Sequence, residues 1–204
     1  MSRRIVLLTF LILLSHWHIA SSWAAPGDSP RYVVESFQEQ LLGVMKEAKT
    51  LGPKGRYMRL ESPIKDSFHM PLMTQVVTGS FWKQATRAQR RNLIIAFRRI
   101  SISTLATLFD DYSGQIFQTQ GEKDGPSKTR IVETQIVDPD KSFVGIAYVV
   151  KSIAKRWYIV DVVVDSGISE LSTRRSEYHR LLSKQGVDAL IKALNAKADE
   201  LITP

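Results

Sequence analysis

Apolar residues Val33, Phe37, Leu41, Val44, Met45 and Ala48 return every three or four positions, which predicts a first amphipathic helix opened by Ser29-Pro30 as cap and first turn. The stretch "LGPKGR" interrupts it. Beyond the break, "YMRLESPI" reads as a short helix, and "PLMTQVVTGSFW" starts another that Gly79 stops. Thr86 and Gln89 then stand at capping-box spacing ahead of a long helix to about Phe109. Leu93, Phe97, Ile100, Thr104 and Leu108 form its apolar stripe, and Arg87, Arg90, Arg91, Arg98 and Arg99 its other face.

At Tyr112-Ser113-Gly114 the pattern changes. Helical periodicity gives way to β-branched segments punctuated by turn signals, "GEKDGPSK" at 121–128 and "VDPDK" at 137–141. Four strands follow, near 114–120, 129–137, 142–151 and 156–165, joined by short turns and therefore antiparallel. The last is apolar on both faces, which predicts cover on both sides. Ser172 or Thr173 then caps "RRSEYHRLLSK", Gly186 stops that helix, and Asp188 caps "ALIKALNAKADEL". Helices, a meander, then helices again define an α+β class: helices packed on a curved four-stranded antiparallel sheet.

The first residues change the picture of where this happens. Arg3 and Arg4, the apolar run Ile5–Leu14 and "SSWAAP" have the layout of a secretory signal, with small residues Ser22 and Ala24 setting a cut before Ala25. The apolar run, about 10 residues, is half of the roughly 20 a spanning helix needs. "SRRIVLL" partly matches a twin-arginine signal, but Val6 replaces the usual Phe, so general secretion is the expectation. Residues 1–24 are thus expected to be cleaved and 25–204 to form a single exported domain. A domain of this length buries roughly 70% of its unfolded surface. The chain has no cysteine, so its stability rests on the core alone, without disulfides. The formal charge of +8 falls to +6 when Arg3 and Arg4 leave. A basic exported monomer meets anionic headgroups or acidic partners rather than nucleic acid, and the clusters "RAQRRNLIIAFRR" and "TRRSEYHR" are either that surface or a solvated helix face.

Catalytic signatures are absent from the sequence: no Gly-x-Ser-x-Gly, no His-Glu-x-x-His, no phosphate-binding glycine loop, and no pattern of metal ligands or cofactor contacts. His69 and His179 are the histidines outside the leader, far apart in sequence. Asp161 and Asp165 share a strand face at a spacing of roughly 13 Å, too wide for a carboxylate pair that shares a glycosidic bond, roughly 5 to 9.5 Å. Asp161 is therefore expected to be a structural anchor and Asp165 a turn residue. The more unusual supply is apolar and large: Met58, Met70, Met73, Phe81, Trp82, Phe97, Phe117, Phe143, Tyr148, Trp157 and Tyr158. These serve equally as core or as the wall of an elongated cavity between sheet and helices.

Residues 156–194, "RWYIVDVVVDSGISELSTRRSEYHRLLSKQGVDALIKAL", carry an aromatic strand ending in Asp161-Val162, the turn Gly167-Ile168-Ser169, the helix signature Arg175-Ser176 with Tyr178, and Gly186, Asp188, Leu190 and Ile191. This run resembles the C-terminal signature of the MlaC or toluene-tolerance family of periplasmic lipid-binding proteins. "FHMPLMTQVVTGSFWKQATRAQRRNLIIAFRR" resembles the same family's methionine, Gly-x-x-Trp and Gln-Arg series, with His69 where the family often has Asp. "LLGVMKEAKTLGPKGRYMRL" and "SGISELSTRRSEY" resemble its hopanoid-associated branch, HpnM. The resemblance implies a fold like that of nuclear transport factor with a lipid-filled cavity. It further implies a periplasmic shuttle, carrying phospholipid or a hopanoid between outer-membrane lipid-handling proteins and an inner-membrane ABC transporter without covalent chemistry. Met70, Met73, Val77, Phe97, Phe117, Tyr148, Trp157 and Ile159 are the expected chain contacts. The rival classes are an exported enzyme using Asp161 with His69 or His179, and a non-lipid interaction protein with a solid core.

Overall fold

The computed structural model describes residues 29–165 and 167–203. The expected signal segment, 1–24, lies outside the described residues. Helices α1 (Pro30–Lys46), α2 (Ala48–Ser67), α3 (Met70–Thr78), α4 (Phe81–Gln84) and α5 (Arg87–Leu108) come first. They are followed by β1 (Ile116–Gly125), β2 (Thr129–Val137), β3 (Phe143–Ile153), β4 (Arg156–Val164) and β5 (Ile168–Ser169), then α6 (Glu170–Ile202). The strands form one antiparallel sheet in sequence order. Among the described residues no helix is long and apolar enough to cross a membrane.

The α+β class holds, with corrections of detail. The sheet has five strands rather than four: Ile168 and Ser169 pair with Val164 and Val163 in a two-residue edge strand too short to carry an alternation. The segment read as the turn "GEKDGPSK" is mostly strand, because Gly121–Gly125 continue β1 opposite Glu133–Thr129, and the reversal is confined to Pro126–Lys128. "YMRLESPI" is the interior of a long helix, not a short one. The break in "LGPKGR" is the single residue Gly52, at φ 61°, where glycine adopts without strain a backbone that other residues avoid.

Several local signals elsewhere act as read, and one is displaced. Ser29 Oγ accepts from Tyr32 N–H at the start of α1. Thr86 and Gln89 close both arms of a capping box at the start of α5. Gly186, at φ 78°, interrupts α6. The N-cap of α6 is Ser169, whose hydroxyl accepts from Ser172 N–H, not Ser172 or Thr173. Asp188 Oδ2 accepts from Gln89 Nε2 at 3.0 Å, which couples the second half of α6 to the capping box of α5.

Helix α1 lies on the sheet, and α5 packs on α6, α2 and α3. Phe37 of α1 sits edge-on to Phe68 at 4.9 Å and to Tyr148 of β3 at 6.3 Å. Two buried polar links cross this core. Gln38 Nε2 donates to Thr134 Oγ1 at 3.0 Å and Thr134 Oγ1 donates to Ile146 O at 2.9 Å, pinning α1 to mid-sheet. Arg56 is buried, with Nε donating to Ala106 O and Nη1 to Ala48 O, so it clamps the C-terminal turn of α5 onto α2.

Two irregularities bend the sheet. The β1–β2 register shifts between Thr119 and Gly121, and the β3–β4 register between Val149 and Val150. At the second, Val150 faces Ile159 while Val149 faces Asp161, which leaves Val160 as the extra residue of a β-bulge. A bulge bends its strand and reverses which parity points inward.

Candidate functional site

A cavity of about 380 Å³ opens between α5 and the sheet. Its floor is the even-numbered face of β3, Val144, Ile146 and Tyr148, with Ile136 beside it and Val162 and Val164 of β4. This set follows from the ladder: Tyr148 opposes Val162 and Ile146 opposes Val164, and directly opposed residues share a face. On the N-terminal side of the bulge the inward residues of β4 are Ile159 and Trp157, opposite Val150 and Ser152. The roof comes from the last three turns of α5, including Phe97, Leu105 and Leu108, and the walls from Phe37, Met70, Met73 and the start of α6.

The lining is mostly hydrocarbon. Ser101 turns its hydroxyl back to Phe97 O at 2.8 Å, which removes a polar group from the interior. Tyr148 contributes its ring, and burial pushes its phenol up to about 12, partly offset by Gln38. Glu170 and Arg174 are the charged residues of the lining. Leu108 and Val144 also line the cavity yet are 68% and 37% exposed, so they mark its mouth.

Four of the eight expected contact residues, Met70, Met73, Phe97 and Tyr148, line this space. The other four do not. Val77 and Ile159 are 1% and 0% exposed and belong to the solid core, while Phe117 and Trp157 are half-buried against its edge. Trp157 and Ile159 face inward but lie beyond the bulge, where the core closes around the α2–α3 junction. Met58 and Phe143, counted above among candidate core or cavity residues, are 58% and 63% exposed.

His69 makes that junction. Its backbone N–H donates to Ile159 O at 3.0 Å, and its Nδ1 accepts from Leu72 N–H at 3.1 Å as the N-cap of α3. Its ring is edge-on to Tyr158 at 5.3 Å, and desolvation lowers its pKa below the usual histidine value. The residue thus positions Met70 and Met73, which follow it on the cavity wall.

Asp161 lies opposite Val149, on the sheet face away from Tyr148 and the cavity. Its Oδ2 accepts from Ser169 Oγ at 2.6 Å, and its Oδ1 from Val162 N–H and Leu171 N–H. His69, His179 and Asp161 are all absent from the cavity lining, so neither pairing of Asp161 with a histidine is gathered there. Asp165 ends β4 at φ 46°, donating its N–H to Gly145 O. Among the described residues no cluster of acidic, histidine or cysteine side chains is arranged to hold a metal ion.

The family model described as MlaC protein matches residues 35–196. The chain belongs to the MlaC family. Among solved structures, it is similar to a phospholipid-binding protein from Ralstonia solanacearum, determined in complex with a phospholipid. The two share 20% identity and superpose with a TM-score of 0.74, over 88% of this chain and all of the other. The five-stranded α+β architecture is therefore a MlaC fold.

Within that fold, pattern reading missed the MlaC-family chain's Leu105, Phe109, Ile136, Val162, Glu170 and Arg174 as lining residues. The stripe on α5 already contained Leu108 and Thr104, so widening it by one position would have reached Leu105 and Phe109. Val162 and Val164 depend on the bulge, which no local pattern encodes. The arginine cluster also resolves into separate roles. Arg90 stacks on Trp82 at 5.4 Å and donates to Trp82 O and Lys83 O. Arg99 holds Asn195 and Asp199 of α6. Arg87 and Arg91 face solvent.

Proposed function

We propose that this protein is a periplasmic lipid carrier that sequesters the acyl region of a phospholipid in the cavity between α5 and the sheet. It would move the lipid between the outer membrane and an inner-membrane ABC transporter without covalent chemistry. The observation that carries the reading is an apolar cavity with an apolar, solvent-facing mouth. Family membership and the phospholipid-binding relative of the same fold support it.

Size and energy agree with such a role. At about 380 Å³ the space lies within the range of small-molecule sites, roughly 300–1,000 Å³. Taking roughly 30 Å³ per small group, as for water, it accommodates about a dozen methylenes, close to one acyl chain. A second chain requires the wall to yield, which the unbranched side chains of Met70 and Met73 can do by changing rotamer. Exposing about 15 methylenes to water costs roughly 12 kcal/mol at about 0.8 each, so transfer between membranes needs an apolar carrier.

Export follows from the leader-like residues 1–24, with 25–204 as the mature domain. The finer reading within the family, a hopanoid-associated branch, rests on the two segments quoted above. Vesicle assays test both levels: the protein should accelerate transfer of a fluorescent phospholipid between donor and acceptor vesicles. Competition by a hopanoid stronger than by phospholipid would assign the branch. No acceleration with either lipid would defeat the carrier reading.

A further inference from the structure

Arg174 is a half-buried arginine of the cavity wall. Arg56, Arg90, Arg99 and Arg130 each donate two hydrogen bonds to carbonyl, amide or carboxylate oxygens. Arg174 makes none of that geometry with any described residue, although its side chain is only 21% exposed and lies beside the Tyr178 hydroxyl. Its one ionic contact among the described residues is a loose one, to Glu170 at 3.9 Å. A guanidinium carries five N–H donors, and holding it out of water without acceptors is unfavourable. One turn further along α6, the Tyr178 hydroxyl is buried and also lacks a partner among the described residues. Burial raises that phenol, and the charge and side-chain contact of the nearby Arg174 oppose the rise. On the cavity wall Arg174 therefore has more donors than acceptors.

The pair is also placed at the right depth. Glu170 and Arg174 lie on the first turns of α6, line the otherwise uncharged cavity, and keep partial access to solvent, with the Glu170 side chain 48% exposed. Their backbone is fixed by the Ser169 cap and by the Asp161 carboxylate, which accepts from Leu171 N–H. Two opposite charges near an apolar cavity match a ligand with an apolar body and a head of two opposite charges.

We propose that Arg174 and Glu170 form a headgroup subsite for a zwitterionic phospholipid, with Arg174 donating to the phosphate oxygens and Glu170 facing the head ammonium. The proposal rests on the carrier reading and adds to it a selection by headgroup. A guanidinium fork binds phosphate through two parallel N–H···O bonds, and such charge-assisted bonds are the stronger class. Glu170 disfavours a head that carries net negative charge.

The test loads the exported protein from vesicles that hold equal amounts of phosphatidylethanolamine and diacylglycerol with matched chains, and reads the bound ratio by native mass spectrometry. The wild type should prefer phosphatidylethanolamine roughly tenfold or more. Arg174→Gln should bring that ratio close to one, and Arg174→Lys should keep part of it. In vesicles of phosphatidylethanolamine and phosphatidylglycerol, Glu170→Gln should raise the share of phosphatidylglycerol. An unchanged ratio in Arg174→Gln, including a proportional loss of both lipids, overturns the subsite and leaves the carrier intact. A wild type that takes up neither lipid overturns both readings. Titration with inorganic phosphate alone separates the remaining source: saturable, Arg174-dependent binding of phosphate without any lipid preference would assign the site to a free anion and overturn the headgroup.

Discussion

Asp161 accepts a 2.6 Å hydrogen bond from Ser169 Oγ, and Ser169 Oγ in turn accepts from Ser172 N–H at the start of α6. A carboxylate on β4 thereby sets the N-terminus of the helix that brings Glu170, Leu171 and Arg174 to the cavity. Hydrogen bonds to an ionised group contribute about 1.5–3 kcal/mol, and a negative charge at a helix N-terminus adds to this. Asp161→Ala should therefore lower unfolding stability by about 2–3 kcal/mol in urea titration while some lipid capture persists. Full stability in this variant would show that the link does not hold α6.

Arg56 should be among the most sensitive buried positions. Arg56→Ala removes both donors at once and leaves Ala106 O and Ala48 O without them, each in a buried setting. The expected loss is about 2–4 kcal/mol, measured by chemical denaturation, with the C-terminal turn of α5 losing hydrogen-exchange protection first.

These two residues mark what was and was not legible in the chain. Asp161 is an acid within an apolar strand, and the turn beside it, Gly167-Ile168-Ser169, contains its partner. Arg56 lay inside "LGPKGR", where glycine and proline dominated the reading, and its acceptor Ala106 is far along the sequence. Local rules located α1, α5 and the Thr86–Gln89 box because each depends on neighbours within a few residues. Strand parity was not legible for a related reason. The extra residue at Val160 arises from pairing with β3, and it divides Trp157 and Ile159 in the closed core from Val162 and Val164 in the cavity. Apolar type alone does not separate those two environments.

Core and cavity can be separated by substitution. Leu105 lines the cavity, so Leu105→Trp should fill it and reduce lipid loading at least tenfold, with a stability cost of about 1–3 kcal/mol. Val77 is 1% exposed and outside the lining, so Val77→Ala should cost roughly 2 kcal/mol and leave the identity of bound lipid unchanged. Lipid loading by native mass spectrometry alongside thermal unfolding distinguishes the two outcomes.

The His69 cap makes the α3 junction sensitive to acid. Nδ1 accepts from Leu72 N–H only when it is unprotonated, and desolvation lowers the pKa of the folded state. Tyr158 packs edge-on beside the ring, and Arg156 stacks on Tyr158 at 5.1 Å. With the folded pKa below the unfolded value of about 6.5, the unfolded chain binds more protons in the interval between them. The contribution is thus complete above about pH 6.5 and declines as pH falls toward the folded pKa. The midpoint of unfolding should drop over that interval, and His69→Asp, which supplies a carboxylate cap, should flatten the drop. A midpoint equally pH-dependent in both proteins would place the titration elsewhere.

The central claim is that the cavity between α5 and the sheet holds a phospholipid. Native mass spectrometry of the protein purified from the periplasm tests it most directly. The predicted spectrum contains the protein with a phospholipid-mass adduct, and the adduct is lost in Leu105→Trp. A lipid-free protein that also takes up no lipid from vesicles would contradict the account.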